Sequence, residues 1–288
     1  MTVLLLGGGG KLGQALRHEL GADHDLHAVG SRDLDCGDPA AVAALIDRLA
    51  PAVVINAVVF GGVEACEQDP QRALRVNAYL PRQLARLSRA RDFQLIHFSS
   101  DAVFSGAKGG APYREDDIPD PINIYGLTKH LADVFIAEEA ERHHLLRVGM
   151  VFGDNPKQHQ FFEKMVARAR QGEALRVADD VITSPTSARD VAALVRRLIA
   201  PGCDLPFGLL HAANRGQASL FEFLRFGLDR LGLRPELVPV ASAAFPGLGR
   251  RTTATPLASA TLVARPWQDA LAEYCASLHP QSQPEKEA

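Results

Sequence analysis

The opening of the chain is the feature that most limits what it can fold into. Val3-Leu4-Leu5-Leu6 runs straight into Gly7-Gly8-Gly9-Gly10, and Lys11-Leu12-Gly13 then leads to a predicted helix over Gln14–Leu20. A short apolar run closed by glycines reads as a buried parallel strand. The glycines fit two registers, G-x-x-G-x-x-G at 7, 10 and 13 or G-x-G-x-x-G at 8, 10 and 13. Either way, strand, glycine turn and helix start come in the order of a pyrophosphate cradle. Bare backbone approaches the phosphates and the first helical amides face their charge. The competing reading is a glycine-rich turn that holds no ligand.

The alternation of strand and helix then repeats along the chain. A second strand, Leu26–Val29, ends at Gly30-Ser31-Arg32, and Asp38-Pro39 opens a helix through Leu49 with a capping Asp and a first-turn Pro. A third strand, Val53–Ile55, runs into Asn56-Ala57-Val58-Val59-Phe60-Gly61-Gly62, and Asp69-Pro70 opens a helical stretch containing Asn77 and Pro81. Gln94–Phe98 is a fourth strand that stops at Ser99-Ser100-Asp101, and Leu145–Val148 is a fifth. This order predicts an α/β fold, a doubly wound parallel (Rossmann) sheet. Capping boxes at Ser187-Ala188-Arg189-Asp190 and Ser219-Leu220-Phe221-Glu222 predict helices over 188–199 and 220–231, while 201–208 and 235–256 read as irregular. We expect a dinucleotide-binding domain over 1–150, with 180–212 returning to it. A smaller C-terminal α+β substrate lobe would use 151–179 and 213–278, and 279–288 reads as a disordered tail.

Strand ends in a parallel sheet are where ligands bind. A site preferring NAD places an acidic residue at the end of the second strand; here Gly30, Ser31 and Arg32 stand there. Arg32 suits the 2′-phosphate of NADPH, with NADH as the alternative because Asp33 is adjacent, and with an exposed, ligand-free Arg32 as the bland reading.

The chain has 288 residues, 47% hydrophobic and 23% charged, with a net charge of −3. No basic surface advertises nucleic acid or an anionic membrane. Cys36, Cys66, Cys203 and Cys275 are far apart and form no C-x-x-C pair, so reduced thiols and no zinc are expected. The start lacks a signal-peptide pattern and the longest apolar run, 51–63, is broken by Asn56 and glycines. A cytoplasmic location is the expectation.

One pair stands out against this frame. Two prolines end the extended loop 118–124, Asn123 is placed to cap, and a helix over 124–142 would set Tyr125 and Lys129 at i and i+4 on one face. A cation beside a phenol favours the phenolate and makes the tyrosine a tunable acid. Taken alone, Y-x-x-x-K also describes an exposed surface pair.

The motifs occur together in an order that resembles the extended short-chain dehydrogenase/reductases, and within them the dTDP-4-dehydrorhamnose reductase (RmlD-like) branch. The resemblance is carried by Gly7/Gly10/Gly13, Val54-Ile55-Asn56-Ala57, Val76-Asn77, Ser99 through Gly106, Tyr113 through Asp117 and Pro121 through Lys129. Leu146-Arg147-Val148, Ser184-Pro185-Thr186 and His211 through Gly216 continue it. It implies an NADPH-dependent reduction of a nucleotide-activated 4-keto-6-deoxy sugar. Ser100 would hydrogen-bond the carbonyl, Tyr125 would protonate it, and Lys129 would hold the nicotinamide ribose and lower the Tyr125 pKa. The implied cofactor site comprises Gly7, Gly10, Lys11, Leu12, Gly13, Ser31, Arg32, Asp35, Cys36, Asn56, Ala57, Val58, Ser99, Tyr125 and Lys129. The sugar would meet Phe60, Asp101, Ala102 and Val103.

Departures from the family pattern cluster on the sugar side. Ala102 stands where relatives carry a tyrosine, and Val58-Val59-Phe60-Gly61 replaces a run with Tyr and Thr, which implies a differently shaped pocket. Ala15 matches the position where some members use a glutamate to bridge a magnesium, so no metal is expected. Arg250-Arg251 suits a substrate diphosphate or a solvated surface. The expected partner is a nucleotide sugar, with neither nucleic acid nor membrane, for a monomer or homodimer. The Ser-Ser-Asp and Tyr-Arg-Glu runs also resemble the methionine adenosyltransferase beta subunit, which implies the alternative of a non-catalytic, NADP-binding regulatory subunit.

Overall fold

A computed structural model of the chain describes residues 1–154, 160–245 and 247–278. The tail 279–288, expected to be disordered, lies outside the described residues. The first half runs β1 (Thr2–Leu6), α1 (Lys11–Leu20), β2 (Asp25–Val29), α2 (Pro39–Leu49), β3 (Val53–Asn56), α3 (Val63–Gln68), α4 (Pro70–Leu74), α5 (Leu80–Arg91), β4 (Gln94–Ser100), α6 (Ile124–Glu139) and β5 (His143–Val148). The second half adds β6 (Val151–Phe152), α7 (Phe161–Arg170), β7 (Leu175–Ala178), β8 (Ile182–Thr183), β9 (Thr186–Ser187), α8 (Ala188–Ile199), β10 (Gly208–His211), β11 (Ala218–Ser219), α9 (Leu220–Arg230), β12 (Leu237–Val240) and α10 (Trp267–Leu278).

The central sheet has the order β10-β5-β4-β3-β1-β2, and every neighbouring pair is parallel. It is the doubly wound parallel sheet that the alternation predicts. β1 and β3, in the middle of the sheet, are near-continuous apolar runs because both faces are covered. One face packs under α1 and α8 through Leu16, Leu20, Val191 and Val195, and the other under α2, α5 and α6 through Val42, Ile46, Leu84 and Ile136. All six strands point the same way, so Leu6, Asn56, Ser100 and Val148 finish at one edge. The strand order reverses between β1 and β3, and that crevice is where such sheets bind ligands.

A second core lies beyond that edge, where Phe152, Phe162, Phe223, Trp267 and Tyr274 pack together between α7, α9 and α10. The short parallel pair β7 and β12 belongs to this layer. Residues 235–256 were expected to be irregular, and β12 corrects that over Leu237–Val240.

The caps explain most helix starts. Asp38 accepts the N–H groups of Ala40 and Ala41, Asn123 accepts that of Gly126, and Ser219 with Glu222 forms a full capping box. At Ser187 only half of the expected box forms: Ser187 Oγ accepts the Asp190 N–H, while the Asp190 carboxylate turns to Arg265 and Asn214. α1 begins at Lys11 rather than Gln14, and α6 stops at Glu139. Among the described residues no helix is long and apolar enough to cross a membrane, and no cluster of three or more His, Cys, Asp or Glu is placed to hold a metal.

Candidate active site

The glycine cradle uses the register 7, 10 and 13. Gly7 has φ of +85°, and a Cβ there would lie 2.7 Å from the Ala57 carbonyl. A Cβ at Gly13 would lie 2.3 Å from the Gly7 carbonyl oxygen. Gly10 is the N-cap of α1 and brings no capping side chain, and no acidic residue stands in the first turn. The amides of Lys11, Leu12 and Gly13 are thus left without helical acceptors, the arrangement that receives a phosphate. Lys11 is only 6% exposed, with Nζ 3.3 Å from Glu163 Oε1 of α7, and Leu12 packs into the core.

At the end of β2, Ser31 and Arg32 are exposed, and among the described residues Arg32 has no ion-pair partner. Asp33 closes its own turn, since its Oδ2 accepts the Gly30 N–H at 2.8 Å. Asp35 accepts the Gly37 N–H at 2.8 Å in the same manner. Cys36 is half-buried against the core, and burial raises its thiol pKa, with Asp35 adding.

At the end of β3, Asn56 is 1% exposed and its side chain is fully engaged; its Oδ1 accepts the Val58 N–H at 3.1 Å and its Nδ2 donates to His97 Nδ1 at 3.0 Å. It holds the turn that presses Ala57 against Gly7, while Val58 packs on the core. Phe60 is half-buried, with the Arg72 guanidinium 4.9 Å from its ring centroid. Its backbone is clamped by Asn77, which accepts the Phe60 N–H at 2.9 Å and donates to the Phe60 carbonyl at 3.0 Å.

β4 and α6 bring the expected trio together. Ser100 ends β4, donates to Asp101 Oδ1 at 3.1 Å and faces the Tyr125 phenol as a hydrogen-bond partner. Gly126 lets α6 approach this corner, because a Cβ there would lie 2.1 Å from the Ala102 carbonyl oxygen. Lys129, 2% exposed, donates to the Phe98 carbonyl at 2.5 Å and lies 3.1 Å from His97 Nε2. Burial lowers its pKa to about 8, with Asp133 opposing.

The expected lowering of the Tyr125 pKa does not occur in this site. Burial pushes the phenol up to about 12; Ser100 pulls against it, and Asp101 and Cys66 add to the rise. The physical reason is that Lys129 turns its nitrogen to the backbone of β4 and to His97 rather than to the phenol.

Three more of the expected site residues lie at the end of β4. Ser99 is buried and shares a sheet face with its register partner Arg147, and its Oγ has no partner among the described residues. Val103 is 0% exposed and its side chain packs in a small core with Phe104, Tyr113 and Leu257. Asp101 is taken up by the chain itself: its carboxylate receives Ser100, Thr183 Oγ1 at 2.9 Å and Thr255 Oγ1 at 3.0 Å. Burial raises its pKa and the three hydroxyls pull it down. Ala102 is buried beside Ser100.

Sequence reasoning missed His97 and Asn77 as members of the site. Their signal was present, since His97 is a polar residue inside a fully buried strand and Asn77 a polar residue inside a buried helical turn. Arg250 and Arg251 lie on an exposed segment against this corner, where the Arg250 carbonyl accepts Asn123 Nδ2 at 2.9 Å.

The family model described as RmlD substrate binding domain matches residues 1–279. Over 278 residues the chain is 31% identical to the spore coat polysaccharide biosynthesis protein SpsK of Bacillus subtilis, covering 94% of this chain and 96% of that one. It is 32% identical over 286 residues to the dTDP-4-dehydrorhamnose reductase of Mycolicibacterium smegmatis, covering 96% and 85%. A solved dTDP-4-dehydrorhamnose reductase from Clostridium acetobutylicum superposes with a TM-score of 0.91 at 26% identity, covering 97% of this chain and 100% of that one.

Proposed function

The chain belongs to the RmlD substrate-binding-domain family, and on that premise we propose that it is an NADPH-dependent reductase of a nucleotide-activated 4-keto-6-deoxy sugar. The observation that carries this reading is the meeting of Ser100, Tyr125 and Lys129 on the edge of the sheet where the Gly7–Gly13 cradle opens. The cradle fits a dinucleotide: it is closed to any Cβ at Gly7 and Gly13 and ends in uncapped helical amides. Exposed Arg32, with Asp33 occupied by its own turn, favours the phosphorylated cofactor; NADH is the alternative.

NADPH, when bound, supplies the hydride. The cradle amides and Lys129 would hold it. Tyr125 is a protonated phenol over the whole neutral range, since its pKa is about 12, and it therefore carries the proton that the reduced oxygen needs. Ser100 stands beside it to stabilise negative charge growing on that oxygen. The sugar would lie against Phe60 and the open segment 59–62, next to Ala102, and the exposed Arg250 and Arg251 would meet its diphosphate. In this reading residues 1–150 with 180–212 carry the cofactor, and 151–179 with 213–278 close over the sugar.

The test is absorbance loss at the NADPH band with dTDP-4-keto-6-deoxyhexoses as substrates. Turnover is expected with at least one, and Tyr125→Phe is expected to remove about 10²–10⁴-fold of it. No turnover with any of them, or full activity in Tyr125→Phe, would overturn the proposal.

A further inference from the structure

A row of buried polar atoms runs behind the lysine, and only one proton arrangement satisfies it. At its far end is the Val58 backbone N–H, which can only donate. It points at Asn56 Oδ1, 3.1 Å away. The other arm of that amide, Nδ2, therefore donates to His97 Nδ1 at 3.0 Å. An imidazole that accepts at Nδ1 carries its proton on Nε2. That N–H points at Lys129 Nζ, 3.1 Å away. An ammonium has three donors and no lone pair, so it cannot accept this bond; a neutral amine can.

Rearrangement does not remove the conflict. Turning the His97 proton to Nδ1 sets it against the Asn56 amide nitrogen. Turning Asn56 as well sets that nitrogen against the Val58 N–H. With Lys129 charged, one donor always faces another donor, in a place where Asn56, His97 and Lys129 are each at most 2% exposed and water offers no relief.

We infer that Asn56 and His97 form a fixed-polarity relay that holds Lys129 as a neutral amine in the resting protein, making His97 a positioning residue of the site. The amine's lone pair faces His97, one N–H is committed to the Phe98 carbonyl, and one N–H remains for the site. The relay also accounts for a tyrosine that keeps its proton, because no cation stands beside the phenol. The remaining ionisable groups around Lys129 are Asp133 one turn on, paired with Arg147 at 3.0 Å, His130 beside that pair, Tyr125 one turn back, and Asp101 and Cys66 beyond the phenol. Burial already brings the lysine to about 8, and the relay acts in the same direction. The proton arrangement stands on geometry alone; its role in catalysis rests on the reductase reading above.

The decisive variant is Asn56→Asp. A carboxylate accepts at both oxygens, so it keeps the Val58 N–H, takes the proton of His97 at Nδ1, and turns Nε2 into an acceptor for a lysine ammonium. Tautomer and lysine titration are read by NMR on protein labelled with 15N at histidine and 13C at lysine, with His97→Gln assigning the histidine signal. The expected result is an Nε2–H tautomer in the wild type and an upward shift of the Lys129 titration by at least about one pH unit, tenfold in proton affinity, in Asn56→Asp. An Nδ1–H tautomer in the wild type, or an unmoved titration in Asn56→Asp, overturns the inference. If the variants do not fold, neutron diffraction from wild-type crystals reads the same protons. A protein that reduced no keto sugar yet displayed the Nε2–H tautomer would leave the relay standing and remove only the reductase reading.

Discussion

A single methyl group at position 13 would lie 2.3 Å from the Gly7 carbonyl oxygen, closer than any relaxed contact allows. Gly13→Ala must therefore push the glycine turn off α1 and spoil the amide cradle, while the core under the sheet stays intact. NADPH affinity, followed by nicotinamide fluorescence, is expected to fall at least about tenfold, or about 1.4 kcal/mol. An unchanged affinity would place the cofactor elsewhere. The pH behaviour of the site is also set residue by residue. A phenol near 12 does not lose its proton below about pH 11, so Tyr125 contributes no alkaline loss of activity in the working range. Any limb at or below about pH 8 belongs to Lys129, whose pKa burial has lowered. A profile of kcat/KM in which Lys129→Met keeps that limb would refute the assignment.

At the scale of the element, the turn Arg75–Tyr79 links α4 to α5 with π-helical hydrogen bonding. Wide turns of this kind often occur at functional sites. Here the turn carries Asn77, 0% exposed, which clamps both backbone groups of Phe60 and donates to Thr128 Oγ1 at 3.3 Å, tying the segment that carries Phe60 to α6. Asn77→Ala strands two half-buried backbone groups, each worth roughly 1–3 kcal/mol when left unpaired. The thermal midpoint is expected to fall and KM for the sugar nucleotide to rise more than kcat drops; a variant with wild-type KM would detach the clamp from the substrate. The π-helical turn was invisible in the sequence because Asp69-Pro70 announces only where a helix begins. α3 was missed for a related reason: it starts after Gly62 without a side-chain cap and buries only Cys66, so neither a cap nor a periodic face marks it. Five of the six sheet strands were legible as apolar runs ended by turn residues, whereas β10, four residues long and entered from an irregular stretch, was not. The placement of Ser100 and Tyr125 side by side, with Lys129 on the same helix, was anticipated from order along the chain. For Asn56, Val103 and Asp101, sequence position places them at the strand edge but says nothing of the partners that the fold brings to them.

At the scale of the whole molecule, polar contacts tie the region around the sheet's edge to later parts of the chain. Lys11 of the cradle reaches Glu163, whose Oε1 also accepts the Tyr274 hydroxyl at 2.8 Å. Asp101, next to Ser100, receives Thr183 and Thr255 from two separate parts of the later chain. Ser100 donates to the same carboxylate, so the position of the serine depends on segments about 80 and 150 residues away in sequence. The charge makes this link pH-dependent, and the sign is set by the direction of the shift. Burial raises the Asp101 pKa above its value in the unfolded chain. The native carboxyl therefore keeps its proton in a window where the unfolded one has lost it. The resulting stabilisation is complete below the unfolded pKa, falls as pH rises through the folded pKa, and levels off above it. Replacing both donors, as Thr183→Val with Thr255→Val, removes two of the three hydroxyls that hold the pKa down and widens that window. The double variant should thus lose stability at pH 7, by roughly 2–5 kcal/mol if both hydrogen bonds to the charged group are lost. It should recover part of the loss as the pH is lowered and Asp101 takes up its proton. Thermal midpoints of wild type and double variant across the acidic range measure this directly. A deficit that stayed constant with pH would show that the threonines act by packing alone and that Asp101 is not the charge through which these segments are joined.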